Sequence, residues 1–187
     1  MNVSFLLFPK KQWFLLLLGV LFLTIFAQIS IQIPLSDSPI PITGQSFAVL
    51  VVGFLLGKRR GALAVVFYLL LGGVGLPIFA EGASGWRVLV GGSGGFLAGF
   101  VAAAYCAGFF GDKKWGAFFF KILFSMALAT AVLLVFGVAW LTVLFGFAKA
   151  LVYGFYPVLG GAAIKILLAT TLVFFIQKND AFQRFMA

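Results

Sequence analysis

Residues 14–60 read FLLLLGVLFLTIFAQISIQIPLSDSPIPITGQSFAVLVVGFLLGKRR. Two apolar runs are separated by a polar, proline-bearing break, AQISIQIPLSDSPIPITGQ, from Ala27 to Gln45. The break holds Asp37, one of four acidic residues, and Pro34, Pro39 and Pro41, three of six prolines. The run before it carries no charge, and Lys10, Lys11 and Trp13 mark its interfacial start. The run after it closes on Lys58, Arg59 and Arg60, the densest basic cluster in the chain. This is the pattern of two membrane helices joined by a polar connection.

The rest of the composition extends that reading. The 187 residues are 64% hydrophobic and 9% charged, with a mean hydropathy of +1.21. A soluble domain is nearer a quarter charged, so the chain reads as an all-α polytopic membrane bundle. Spans of about 20 residues with short connections leave room for roughly six helices in one domain over residues 1–187. The net charge of +9 falls between apolar runs, where the positive-inside rule accounts for it without a nucleic-acid partner. Cys106 is the one cysteine, sits in an apolar run and reads as a small packing residue. No small-residue cleavage site closes the first apolar run, so it is expected to be a retained span and not a signal peptide.

The spans are expected at about 12–31, 44–56, 61–79, 88–110, 115–136 and 161–176. The glycines and Pro77 of GGVGLPIFAEG argue against a regular helix to the end of the third. In the fourth, Gly95, Gly99, Ala103 and Ala107 recur every four residues, which lets a neighbouring helix approach closely. The apolar stretch 137–159, broken by Gly146, Gly154 and Pro157, is expected to be a partly helical connection at the membrane surface. With both termini cytoplasmic, the inner side holds Lys10, Lys11, Lys58, Arg59, Arg60, Lys113, Lys114, Lys121, Lys178 and Arg184, ten of thirteen basic residues. The Ala27–Gln45 break, the 81–87 connection and the 137–159 stretch then face outside.

Several chemistries are excluded. There is no histidine, so neither an HExxH metal site nor a nucleophile–histidine pair can form. No GxxxxGK[ST] phosphate loop is present. No enzyme activity, cofactor or metal is expected. Lys165, in AAIKILLATTL, lies about four residues into the sixth expected span. A charge at the bilayer centre costs about 3 kcal/mol on insertion scales. Two readings stand: the side chain snorkels to the outer interface, or it faces an interior pocket and binds an anionic group. Arg87, beside Trp86, is a second candidate cation or a plain interfacial arginine. Glu81 pairs with Arg87, accepts from ligand N–H groups, or is a solvated loop acid. Phe79, Trp86, Phe96, Tyr153 and Tyr156 are available as aromatic walls, and Thr43 and Gln45 as uncharged polar groups. Such a cavity suits a small amphipathic carboxylate better than a sugar or a metal ion.

Four blocks carry a family resemblance. AQISIQIPLSDSPIPITGQ follows the pattern AQI-x-I-P-x-x-x-x-P-V-P-I-T-x-Q; GFLLGKRRGALAVVFYLLLGGVGLPIF, VLVGGSGGFLAGF and ALVYGFYPVLGGAAIK match later blocks in order. Together they resemble the BioY family, the substrate-capturing membrane subunits of energy-coupling-factor biotin transporters. The resemblance implies six helices with cytoplasmic termini in a bacterial cytoplasmic membrane, surrounded by lipid, and biotin as the transported ligand. It also implies separate energising transmembrane and ATPase subunits if ATP is used. Lys165 falls on the family's lysine, whereas Ala162 stands where the family has an acid. The ureido contact is then expected at Glu81 or Gln45. The first span, rich in leucine and phenylalanine, lacks the family's small residues spaced by four. On this reading the Ala27–Gln45 break is a stiff external lid. The alternative is a carrier of another small carboxylate or vitamin on the same scaffold.

Overall fold

The computed structural model describes residues 10–31, 42–113, 118–180 and 184. Asp37, the three prolines of the break, Lys114 and Trp115 lie outside the described residues, and the lid reading of residues 32–41 with them. Helix α1 spans Lys10–Ala27, and two-residue strands β1 (Ser30–Ile31) and β2 (Ile42–Thr43) follow. The strands pair antiparallel, Ser30 opposite Thr43 and Ile31 opposite Ile42. Helices α2 (Gln45–Leu56) and α3 (Lys58–Gly73) form a hairpin. A 3₁₀ turn at Ala80–Gly82 and the short α4 (Trp86–Val90) lead into α5 (Gly94–Gly111). The chain closes with α6 (Phe119–Phe145), α7 (Phe147–Ala150), a π-helical turn at Leu151–Phe155 and α8 (Tyr156–Lys178).

Four helical stretches are long and apolar enough to cross a membrane: Lys10–Ala27, Gly94–Gly111, Phe119–Phe145 and Phe147–Lys178. Their outward faces support that reading. On α1, Leu15, Leu16, Gly19, Val20, Leu23 and Ala27 are buried. The opposite side shows Phe14, Leu17, Leu18, Leu21 and Ile25 to the surroundings. A helix with an apolar outside as well as an apolar inside is at home in lipid, not water. Helix α2 differs. At 12 residues it is about 18 Å long, short of a ~30 Å hydrocarbon layer. Nearly all of its side chains are buried, so it is the core rod around which α1, α3, α5 and α8 pack.

The hairpin turn needs Gly57, whose φ of +82° favours glycine. A β-carbon there would also collide with the Asp112 carboxylate. That carboxylate accepts the Lys58 backbone N–H at 3.3 Å. It thereby supplies a partner and a negative charge at an α3 N-terminus crowded with Lys58, Arg59 and Arg60. Further along, the backbones meet. A β-carbon on Gly53 would stand 2.6 Å from the Ala104 carbonyl oxygen, and one on Gly61 would stand 2.7 Å from Gly53 Cα. The small-residue row of α5 is buried as its spacing predicts, and a β-carbon on Gly99 would lie 2.9 Å from Phe136 Cβ of α6.

One expectation is corrected. The stretch 137–159 is helical almost throughout. Helix α6 continues to Phe145, nine residues beyond the expected end at 136, and α8 starts at Tyr156, not 161. Gly137 suggests a break because an interior glycine weakens a helix; here its bare backbone admits the Phe96 ring from α5. Pro157 sits in the first turn of α8, directly after the π turn Leu151–Phe155. The true interruption is Gly146, at φ +84°.

Two alanine substitutions test the packing. Gly53→Ala is expected to cost about 1–3 kcal/mol through backbone displacement at Ala104. Gly160→Ala, in a helix with nothing within 4 Å of the new methyl, is expected to raise stability by about 0.5–1 kcal/mol. Thermal melting of the detergent-solubilised variants checks both, and an unchanged melt for Gly53→Ala would show that the crossing yields freely.

Candidate functional site

A cavity of about 230 Å³ opens at the end of the bundle opposite the Gly57 turn. Six parts of the chain line it. The start of α2 brings Thr43, Gln45 and Ser46, and the loop after α3 brings Phe79, Ala80, Glu81 and Ala83. Val88 comes from α4, and Ser93, Phe96, Leu97 and Phe100 from the start of α5. Leu133 of α6 and Val158 and Lys165 of α8 complete it.

The structure places Lys165 at the cavity. Because α8 begins at Tyr156, the residue lies nine positions into the helix, about 14 Å along it. Its side chain is half-buried and lines the cavity. The ammonium donates to Ser46 Oγ at 3.1 Å, across to α2. The neighbouring family acid position, Ala162, is a buried methyl one turn away. The amine is therefore held over the cavity by a neutral hydroxyl.

The opposite rim is tied down by backbone and side-chain bonds. Gln28 Nε2 donates to the Phe79 carbonyl at 3.1 Å, and Ser30 Oγ donates to Glu81 Oε1 at 2.9 Å. Glu81 is exposed, lines the cavity and sits at φ +60°, ψ 25°. It is the one non-glycine residue with positive φ among the described residues. The Phe79 ring is 1% exposed, lies over the bare backbone of Gly72 and meets Tyr68 edge-on at 5.4 Å. Running back from the wall, Thr43 Oγ1 donates to Gln45 Oε1 at 3.0 Å, Gln45 Nε2 donates to the Tyr68 hydroxyl at 2.6 Å, and Tyr68 donates to the Ile78 carbonyl at 3.0 Å.

Of the residues expected from sequence, Lys165, Glu81, Thr43, Gln45 and Phe79 converge on this cavity, with Phe96. Arg87, Trp86, Tyr153 and Tyr156 do not line it. With Val88 of α4 turned inward, Arg87 and the 70% exposed Trp86 fall on the outer side of that short helix. Tyr153 lies in the π turn with its ring edge-on to Phe145 at 6.1 Å, and Tyr156 is 62% exposed. Ser46, Phe100 and Tyr68 were missed. Tyr68 had a signal: a lone tyrosine in an apolar helix needs a partner for its hydroxyl.

A family model described as the BioY family matches residues 1–181. The chain belongs to the BioY family. The biotin transporter BioY of Thermotoga maritima is 36% identical over 151 residues, 80% of this chain and 87% of that protein. The biotin transporter BioY of Rhizobium etli is 33% identical over 171 residues, 84% of this chain and 89% of that protein. In fold, this BioY-family chain matches the crystal structure of the S-component for biotin from an ECF-type ABC transporter. The TM-score is 0.84 at 22% identity, covering 100% of both chains.

The left-handed Glu81 makes a separable prediction. Its backbone conformation costs a residue with a β-carbon roughly 1 kcal/mol. Glu81→Gly and Glu81→Ala both lose the Ser30 bond, yet only the first relieves the backbone. Glu81→Gly is expected to melt higher than Glu81→Ala by the equivalent of about 1 kcal/mol. Equal melts for the two variants would place no strain at this position.

Proposed function

We propose that this chain captures biotin in the cavity between α2, α5 and α8 and carries it inward across the bacterial cytoplasmic membrane. The observation that carries the reading is a half-buried ammonium, Lys165, held by neutral Ser46 at a cavity lined by Phe79, Phe96 and Phe100. An ammonium hydrogen-bonded to a neutral hydroxyl favours an anionic guest, because a buried charge is costly until paired. Biotin offers a carboxylate for Lys165, an apolar bicycle for the phenylalanine rings, and ureido N–H and C=O groups for Gln45, Thr43 and Glu81. The BioY names of the two relatives support the same ligand. The work is transport and not catalysis.

In this reading the membrane is crossed six times, by α1, α2, α3, α5, α6 and the α7–α8 stretch, with both termini cytoplasmic. Helix α2 is short, and α3 carries the Lys58, Arg59 and Arg60 cluster at the inner surface. The inner end also holds Lys113 at 4.6 Å from the Phe109 ring, Lys121 at 4.7 Å from Phe118 and Lys178 at 4.4 Å from Phe174. Cation-capped aromatic rings of this kind suit a headgroup layer. The S-component likeness supports a separate energising subunit and ATPase subunits as partners.

A second reading is another small carboxylate, favoured by Ala162 in place of the family acid. Competition by desthiobiotin, lipoate and pimelate for bound radiolabelled biotin separates the two.

Lys165→Met keeps the stem and removes the charge. It is expected to weaken biotin binding about 30-fold or more, from the 2–5 kcal/mol lost when one partner of a buried charge pair is removed. Binding to the purified, correctly inserted variant checks this, and an unchanged affinity would remove Lys165 from the site.

A further inference from the structure

Four groups running back from the cavity wall, Thr43, Gln45, Tyr68 and the Ile78 carbonyl, form a hydrogen-bond chain whose direction is fixed at one end. The Ile78 carbonyl can only accept. Tyr68 Oη, 3.0 Å away, therefore donates its single proton there. The same oxygen then accepts from its other neighbour, 2.6 Å away, which must be the nitrogen of the Gln45 amide. The amide oxygen is turned the other way, where Thr43 Oγ1 donates to it at 3.0 Å. Tyr68 is fully buried and Gln45 is 5% exposed, so water is not at hand to reverse the order. Thr43 and Gln45 line the cavity, whereas Tyr68 stands behind them.

We propose that Tyr68 is a positioning residue for ligand selection: by fixing the Gln45 amide with its nitrogen toward the Tyr68 hydroxyl, it gives the cavity wall at Gln45 and Thr43 an accepting face that selects for N–H donors. The inference rests on the biotin reading and deepens it, because biotin carries two ureido N–H groups. Gln45 alone does not select, since an amide free to turn offers either a donor or an acceptor. The anchor is itself held in place. Ile78 immediately precedes Phe79, whose carbonyl is gripped by Gln28 and whose ring covers Gly72.

The test uses the purified full chain and three ligands: biotin and the two cyclic carbamate analogues in which one or the other ureido N–H is replaced by oxygen. The wild-type chain is expected to prefer biotin over at least one carbamate, because a ring oxygen placed against the accepting wall finds no proton. Tyr68→Phe removes only the hydroxyl and frees the amide to turn. The preference is then expected to fall about fivefold to tenfold, the worth of one hydrogen bond. A purely structural role for Tyr68 would weaken biotin and both carbamates by the same factor and leave the ratio intact; that result overturns the proposal. Gln45→Met provides a second arm that does not depend on Tyr68→Phe folding. Loss of the preference supports the amide as the selecting group, and its persistence overturns it. If wild-type chain binds biotin without discriminating against either carbamate, this inference fails and the biotin reading stands. If wild-type chain binds no biotin, the functional reading fails and this inference with it.

Discussion

The contact of bare backbone at Gly53 sets the geometry of the whole bundle. A β-carbon on Gly53 would reach 2.6 Å from the Ala104 carbonyl, and Gly61 sits against Gly53 Cα from the other side. Helices α2, α3 and α5 therefore touch at one level, with no side chain between them. The α2–α3 hairpin runs antiparallel from Gly57, so this contact also fixes its register. Eight residues from Gly53 toward the start of α2 lies Gln45, and seven residues beyond Gly61 lies Tyr68. The two helices rise together by about 10–12 Å over those intervals. That is why the amide and the hydroxyl arrive within 2.6 Å of each other at the cavity end. Wider spacing at Gly53 would separate them before any change at the site itself.

The two ends of the bundle manage polar groups differently. At the Gly57 end, lysines lie over phenylalanine faces, and the Asp112 carboxylate meets the start of α3. Charge there is plentiful and close to water. At the cavity end, among the described residues, several polar groups are bonded to neutral partners: Lys165 to Ser46, Gln28 to a carbonyl, Tyr68 between an amide and a carbonyl. In a low-dielectric wall each of these groups would be costly if left alone. The Ser46 hydroxyl thus holds the Lys165 ammonium without neutralising it.

The fold class was legible because lipid imposes a simple requirement: apolar runs of sufficient length, with basic residues between them. The cavity-lining Lys165, Gln45 and Thr43 stood out too, since they are polar groups in apolar surroundings and need a reason to be there. What sequence did not convey was rotation. Trp86 and Arg87 neighbour Val88, yet of the three only Val88 lines the cavity. Tyr153 and Tyr156 fall on a π turn and its exit, which shift side chains around the helix axis by an amount that no 3.6-residue pattern predicts. Gly137 was misleading for a related reason. A glycine in an apolar run looks the same whether it ends a helix or admits a ring from its neighbour, and only the position of Phe96 distinguishes the two.

The Ala27–Gln45 break is bonded to the cavity at both of its described ends. On one side Gln28 and Ser30 hold the Phe79 carbonyl and the Glu81 carboxylate; on the other, Thr43 and Gln45 are part of the wall. The β1–β2 pair, Ser30 opposite Thr43, brings these two sides together. The departure point of the chain from α1 and its return into α2 are thus fixed by the same residues that border the cavity. A polar break that merely joined two helices would need no such bonds, since water satisfies loop backbone and side chains equally well. Gln28 and Ser30 of the break instead bond Phe79 and Glu81 of the following loop, and Glu81 holds a left-handed backbone where they meet. The described ends of the connector thus belong to the rim of the cavity.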